Sequence, residues 1–461
     1  MAFKKMFSIY NFGVFLTFTS LSGIMSVMSS INVEEGMGVT ALAIGYGTSL
    51  VAALIVPSLI ERVGCKKLFI ISEFGYMLFV ISNAYPSYNI LVGGFVQGLS
   101  EALAWTVMPL FTFHYAKKHF TKGSKTNEEY ANHYMGYFFA AVEASMISGN
   151  AIGFLIFHID RSVHPSNVTA EHAVDFKLCG INDCQLPNAT EQNLSQYTPT
   201  QSMFLYIAIG TFAFIQLVAI ILHALYLPKD LKPSQPDKAN NDTLIQVVNL
   251  NENEEMEISN NSVKLKTSVI TTLKLCVHPK HILISLLTIY NGMTLAFIMT
   301  ELTRAYASCF FGLDKVSLCS MIFGAADAFS AVITGKLVAK IGRNILFLVA
   351  FLIDVVCYVL CLLELPNEHN QWLVYFLFFC LGASDGVWQP LIMAMYGEYF
   401  PKQTIIACNL WNVVINVGYT FQFAISTSLC VHSKIYIQLG VLVVGLVGYY
   451  ASQLLYYKGS K

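Results

Sequence analysis

The sequence predicts an all-α, multi-pass membrane protein of twelve transmembrane helices arranged as two pseudo-symmetric six-helix halves, and three observations carry that reading. The 461 residues are 55% hydrophobic and only 12% charged, with a mean hydropathy of +0.57, a composition that no ordinary soluble domain presents to water. Apolar runs of about 20 residues, the length that crosses a bilayer, recur along the whole chain. A basic, Gly-containing turn appears twice, as Glu61-Arg62-Val63-Gly64-Cys65-Lys66-Lys67 and as Gly335-Lys336-Leu337-Val338-Ala339-Lys340-Ile341-Gly342-Arg343, each between two apolar runs. A duplicated helical bundle leaves this kind of trace, because both halves close the same face of the membrane. The net charge of -1 gives nucleic acid no reason to bind.

Spans are expected at 7–30, 40–60, 68–84, 90–113, 134–157 and 203–226, and again at 282–302, 316–338, 345–363, 372–395, 404–429 and 435–456. The first is longer than a signal-peptide core of about 7 to 15 residues and reads as an uncleaved helix. This divides the chain into an N-terminal bundle (1–227), a cytoplasmic linker (228–281) and a C-terminal bundle (282–461). Orientation follows from the retention of Lys and Arg in cytoplasmic loops. With both termini inside, every Lys and Arg lies on the cytoplasmic side except Arg161, Lys177, Arg304, Lys315 and Lys434.

The polar loop 160–201 then faces the exoplasm and carries acceptor sequons at Asn167, Asn188 and Asn193. It also holds Cys179 and Cys184, placed to form a local disulfide on the oxidising side. The other cysteines fall mostly in or beside helices, where Cys packs as a small apolar residue. The linker is rich in Asn, Asp, Glu and Lys and reads as a flexible tether. Its last part, 263–277, mixes Lys with Val, Ile and Leu, as either an interfacial helix or an extended tether would.

Ionisable groups inside spans are costly and therefore candidates for function. Gly98-Leu99-Ser100-Glu101 and Gly382-Ala383-Ser384-Asp385 repeat one pattern in the fourth and tenth spans, followed by Trp105 and Trp388. Were those helices to line a central cavity, Glu101 and Asp385 would face one another and exchange protons, with the tryptophans as stacking walls for a solute. The competing reading has each acid bonded to a neighbouring helix. For Glu73, Glu143, Asp327 and Asp354, and for Glu301 with Arg304 three residues on, interhelical pairing is the favoured reading. Asn409, Asn412 and Asn416 recur at helical spacing, either lining a polar cavity or joining helices. His114, His158 and His223 fall near span ends, the usual place of interfacial histidines. No metal-spaced His and Cys cluster, phosphate-binding Gly loop or nucleophile motif occurs, so the reading is non-enzymatic and without cofactor or metal.

The duplicated turn resembles the signature Gly-x-Leu-x-Asp-Arg-x-Gly-Arg-Lys of the major facilitator superfamily, a gating-loop motif. The first copy keeps Arg62, Gly64 and Lys66, with Lys67 following, but has Pro57, Glu61 and Cys65 in place of Gly, Asp and Arg; the second keeps Gly335, Leu337, Gly342 and Arg343 and has Ala339 for Asp. Glu34-Glu35-Gly36-Met37-Gly38-Val39-Thr40-Ala41-Leu42 looks like the Unc-93 branch of that superfamily. Cys179-Gly180-Ile181-Asn182-Asp183-Cys184, Glu301-Leu302-Thr303-Arg304-Ala305-Tyr306 and Leu429-Cys430-Val431-His432-Ser433-Lys434-Ile435-Tyr436 agree with it.

The resemblance implies a twelve-helix fold whose best-known relatives are accessory proteins: one regulates a two-pore-domain potassium channel, another escorts Toll-like receptors to endolysosomes. The expected function is thus a regulatory subunit of an ion channel, a potassium channel first, with a channel subunit and the lipid bilayer as partners. A proton-coupled carrier of a small organic solute and a trafficking chaperone are the alternatives. The plasma membrane is the expected site and the endolysosome the alternative. Glycosidase treatment is expected to shrink the protein on a gel, and replacing Asn167, Asn188 and Asn193 together with Gln to abolish that shift. A shift that survives would place these loops on the opposite side.

Overall fold

A computed structural model describes residues 2–31, 37–84, 89–120, 127–163, 179–184, 202–228, 274–308, 313–363, 372–426 and 428–458. The three sequons, most of the linker and the acidic end of the Glu34 to Leu42 stretch lie outside the described residues. Helices run in the order α1 (Ala2–Ile31), α2 (Met37–Ala52), α3 (Val56–Val63), α4 (Cys65–Ser82), α5 (Asn89–Phe120), α6 (Asn127–Val163) and α7 (Ser202–Tyr226). The second half holds α8 (Pro279–Phe297), continued by a π-helical stretch (Ile298–Ser308), then α9 (Leu313–Ile341), α10 (Arg343–Leu363), α11 (Trp372–Tyr399), α12 (Thr404–Ser426) and α13 (Val431–Lys458).

Ten of these are long and apolar enough to cross a membrane, and eleven when α2 and α3 count as one bent span. The remaining predicted span is α4, which carries Lys66, Lys67 and Glu73. The second predicted span is broken: its two parts meet at 67°. Pro57 sits in the first turn of α3, where it needs no helical N–H partner but obstructs a helix arriving from before it. The residue that departs from the repeated motif therefore marks the kink. The fourth and fifth spans run longer than hydropathy suggested, because helical backbone continues past the apolar core.

Helix neighbours repeat between the halves. In the first half α1 packs on α6 and α7, and α5 on α2 and α4; in the second, α8 packs on α12 and α13, and α11 on α9 and α10. The two repeated turns match in detail. Gly64 (φ 86°) and Gly342 (φ 80°) both take a positive φ that a side chain resists, and their N–H groups close on the carbonyls of Ile60 and Val338.

The halves meet along two equivalent seams, α6 against α9 and α12 against α2. Small residues let the first seam close to backbone contact, the usual device of helix pairs in lipid. A Cβ added at Gly324 would stand 2.8 Å from the Glu143 carbonyl oxygen, and one at Gly136 2.6 Å from that of Ala331. Gly335 also lies inside α9 at this seam, against Asn132. The second seam is aromatic: Tyr46 of α2 stacks on Tyr419 of α12 with centroids 4.6 Å apart. Gly324→Leu is expected to cost about 1–3 kcal/mol by overpacking and to lower the unfolding midpoint in detergent. Gly210→Leu, which meets open space, should leave it unchanged.

Candidate functional site

Lipid supplies no hydrogen bonds, so each polar group in a span must find its partner within the protein. The interior acids do so in two ways. Some are satisfied within their own half. Glu73 of α4 accepts from Thr17 of α1 at 2.9 Å and lies 2.6 Å from His223 Nδ1 of α7. His223 is thus 1% exposed rather than interfacial, because its imidazole spans between Glu73 and the Tyr10 carbonyl at 3.1 Å.

Asp354 of α10 holds the corresponding place in the second half. It accepts from Tyr290 of α8 at 2.7 Å, from Trp388 Nε1 of α11 at 2.8 Å and from the Ser384 hydroxyl. Trp388 is therefore committed to Asp354 and is buried, not a wall of an open cavity. Glu101 accepts from Tyr76 at 2.8 Å and from Gln97 at 3.2 Å. Trp105 packs against Trp411 of α12 (centroids 5.7 Å) and Phe18 of α1 (5.3 Å).

Asp385 is built differently from its sequence counterpart. Asn291 of α8 donates to one of its oxygens at 2.5 Å and Gln389 to the other at 2.6 Å. Carboxylate oxygens of Glu143 from α6, Asp327 from α9 and Asp385 from α11 lie within 4.8 Å of one another, all buried. Glu101 is not a member of this group. Among the described residues it is the one convergence of His, Cys, Asp or Glu side chains tight enough to hold a metal ion. Hard oxygen donors of this kind suit protons or a hard cation. Three ionised carboxylates at this spacing in an apolar interior repel strongly, so neutralisation is a condition of their closeness.

The three asparagines of α12 join the halves. Asn409 Oδ1 accepts from Thr106 at 3.0 Å, Asn412 Nδ2 donates to the Ala102 carbonyl at 3.3 Å, and Asn416 Nδ2 donates to Ser49 at 3.0 Å and to Asn412 at 2.9 Å. Two of these partners lie on α5 and one on α2. At the repeated turns, Lys66 donates to the Leu227 carbonyl and Arg343 pairs with Glu398, both at 2.8 Å and both within one half. Glu61, Arg62, Lys67 and Lys340 stand exposed.

A third set of ties lies at the opposite end of the bundle from those turns. Cys184 forms a disulfide with Cys430, 246 residues away, and not with Cys179, which is itself disulfide-bonded. The local pairing expected from sequence fails because the segment 179–184 docks on the other half. The Asp183 carbonyl accepts from the Val431 N–H at 3.0 Å, and the Asp183 carboxylate takes Arg304 at 3.1 Å. Arg304 also pairs with Glu301 at 2.8 Å, and Glu301 pairs with the fully buried Lys434 at 2.8 Å. Nothing in the local sequence groups Cys430, Asp183 and Lys434 into one cluster or marks Asn291 as a partner of Asp385. The signal available was that Cys430 and Lys434 flank a loop on the same predicted face as Cys184.

Removing Lys434 leaves Glu301, which also accepts from Ser426 at 2.6 Å, with the quarter-exposed Arg304 as its cation among the described residues. Lys434→Met is expected to cost about 3–5 kcal/mol, and adding Glu301→Gln to recover most of it. Arg304→Met should cost less than Lys434→Met. Denaturant unfolding in mixed micelles reads the order.

Residues 29–450 match the family described as "Ion channel regulatory protein UNC-93". The chain is 31% identical over 444 residues to protein unc-93 homolog A of Homo sapiens, covering 96% of this chain and 91% of that one. It is 22% identical to the putative potassium channel regulatory protein unc-93 of Caenorhabditis elegans, over 94% of this chain and 58% of that one. Among solved structures, the E. coli fucose:proton symporter FucP superposes with a TM-score of 0.58 at 14% identity, covering 98% of this chain and 99% of that one, a likeness of fold. With the repeated turns, the paired seams and a family match that spans nearly its whole length, this chain belongs to the UNC-93 family and has the major facilitator fold.

Proposed function

We propose that this chain is a non-enzymatic regulatory subunit of an ion channel, a potassium channel first among them. Both termini are cytoplasmic in this reading, loop 160–201 is glycosylated outside, residues 228–281 form the linker, and the plasma membrane is the site of action. The observation that carries it is the cross-fastening of the halves. A carrier working by alternating access rocks one half against the other. Here the halves are tied by the asparagines of α12 and, at one end, by a covalent bridge backed by Arg304. Such a body suits holding a shape against a partner. The names of the family and of the worm relative supply the partner class.

One observation favours a second reading, a proton-coupled carrier of a small organic solute. Glu143, Asp327 and Asp385 converge from both halves, where neutralisation would couple to their approach. The two readings part on purification in mild detergent. A regulatory subunit is expected to bring down a channel subunit and, co-expressed with it, to change the potassium current. Uptake of a solute into proteoliposomes under a pH gradient, abolished by Asp385→Asn without any channel recovered, would establish the carrier instead.

A further inference from the structure

A cavity of about 520 Å³ opens on the flank of the first half, between α1, α5 and α6, away from the acids described above. Its lining divides into two kinds of surface. Phe12, half exposed, offers an apolar side. Ser8, Asn11, His119, His133 and Tyr137 offer a polar one. Asn11 donates through Nδ2 to the Tyr137 carbonyl at 2.7 Å, which leaves its buried Oδ1 as an acceptor with no donor. His119 is held by the Tyr134 hydroxyl at 3.0 Å.

Three lysines belong to the elements around the cavity, and one of them has a contact with its lining. Lys5 precedes Ser8 by three residues and so shares its face of α1, and Lys118 adjoins His119; both lysines are exposed. Lys336, from α9 of the other half, stands 6.0 Å from the Tyr137 ring centroid. The cavity lies toward the end of the bundle that carries the repeated turns, the cytoplasmic end in the orientation proposed above.

We propose that this cavity seats the headgroup of an anionic phospholipid that carries hydroxyl groups, of the phosphatidylinositol class. Basic pockets between helices at the cytoplasmic side are suited to such headgroups. Phosphate charge meets Lys5, Lys118 and Lys336. The ring hydroxyls meet the polar side of the lining, Asn11 and Ser8 among it. The acyl chains lie along Phe12 and the outer surface of α1. Because Lys336 comes from the second half, a seated headgroup also bridges the seam between α6 and α9.

Native mass spectrometry of the full chain in detergent tests this with phosphatidylinositol 4,5-bisphosphate, phosphatidylserine and phosphatidylcholine added at equal concentration. The inositol lipid is expected to be retained over both others. Lys336→Ala should lower its retention roughly fivefold, the effect of one lysine at a membrane surface, and Ser8→Trp should block the mouth. Lys67→Ala, at the turn between α3 and α4, should leave it unchanged and serves as the control for general charge. Equal retention of phosphatidylserine, an equal loss in Lys67→Ala, or no loss in Lys336→Ala and Ser8→Trp would overturn the assignment. Binding in detergent depends on neither membrane orientation nor a channel partner, so its failure leaves the regulatory reading standing, and the reverse holds too.

Discussion

Backbone contact between α6 and α9 is the constraint on which the rest of the interior depends. Gly136 and Gly324 let two helices from different halves touch without intervening side chains, and in lipid such close packing is a principal source of helix association. Once that spacing is set, much else follows by geometry. Asp327 lies one turn after Gly324 on α9, so it arrives beside Glu143 on α6. Lys336 follows Gly335 and arrives over Tyr137. A wider seam would separate both pairs.

The acids show what duplication preserved and what it did not. Glu73 and Asp354 stand on corresponding helices, α4 and α10, and each ties its helix to the first helix of its own half, through Thr17 and Tyr290. These are the internal ties of each bundle. Glu101 and Asp385 began from the same local pattern, yet Glu101 bonds within its half while Asp385 meets acids of α6 and α9. The two halves are therefore alike as scaffolds and unlike at their shared surface.

Hydropathy made the helices legible, since each span must satisfy its backbone internally and be apolar for about 20 residues. The twofold plan was legible too, because Gly64 and Gly342 terminate helices by the same positive φ. Partner choice was not. Which face of a helix an acid occupies depends on rotation about the helix axis, and a span that is apolar all round leaves that rotation unmarked. Glu101 and Asp385 looked equivalent for this reason, and His223 looked interfacial although Glu73 draws it inward. Cys184 appeared to have a neighbour in Cys179. Sequence distance favours that pairing, whereas the docking of Asp183 on Val431 and Arg304 decides it.

The bridge from Cys184 to Cys430 has a consequence for how the chain is made. Cys430 stands between the last two helices, so the bond cannot close until nearly the whole polypeptide has been synthesised and its final pair inserted. Disulfides form on the oxidising side of the membrane, so closure also requires that the two halves have been threaded in matching orientation. A chain that stalls, truncates or inverts its last helices lacks the Cys184–Cys430 bond. The bond is in this sense a completion mark on molecules whose two halves have found each other.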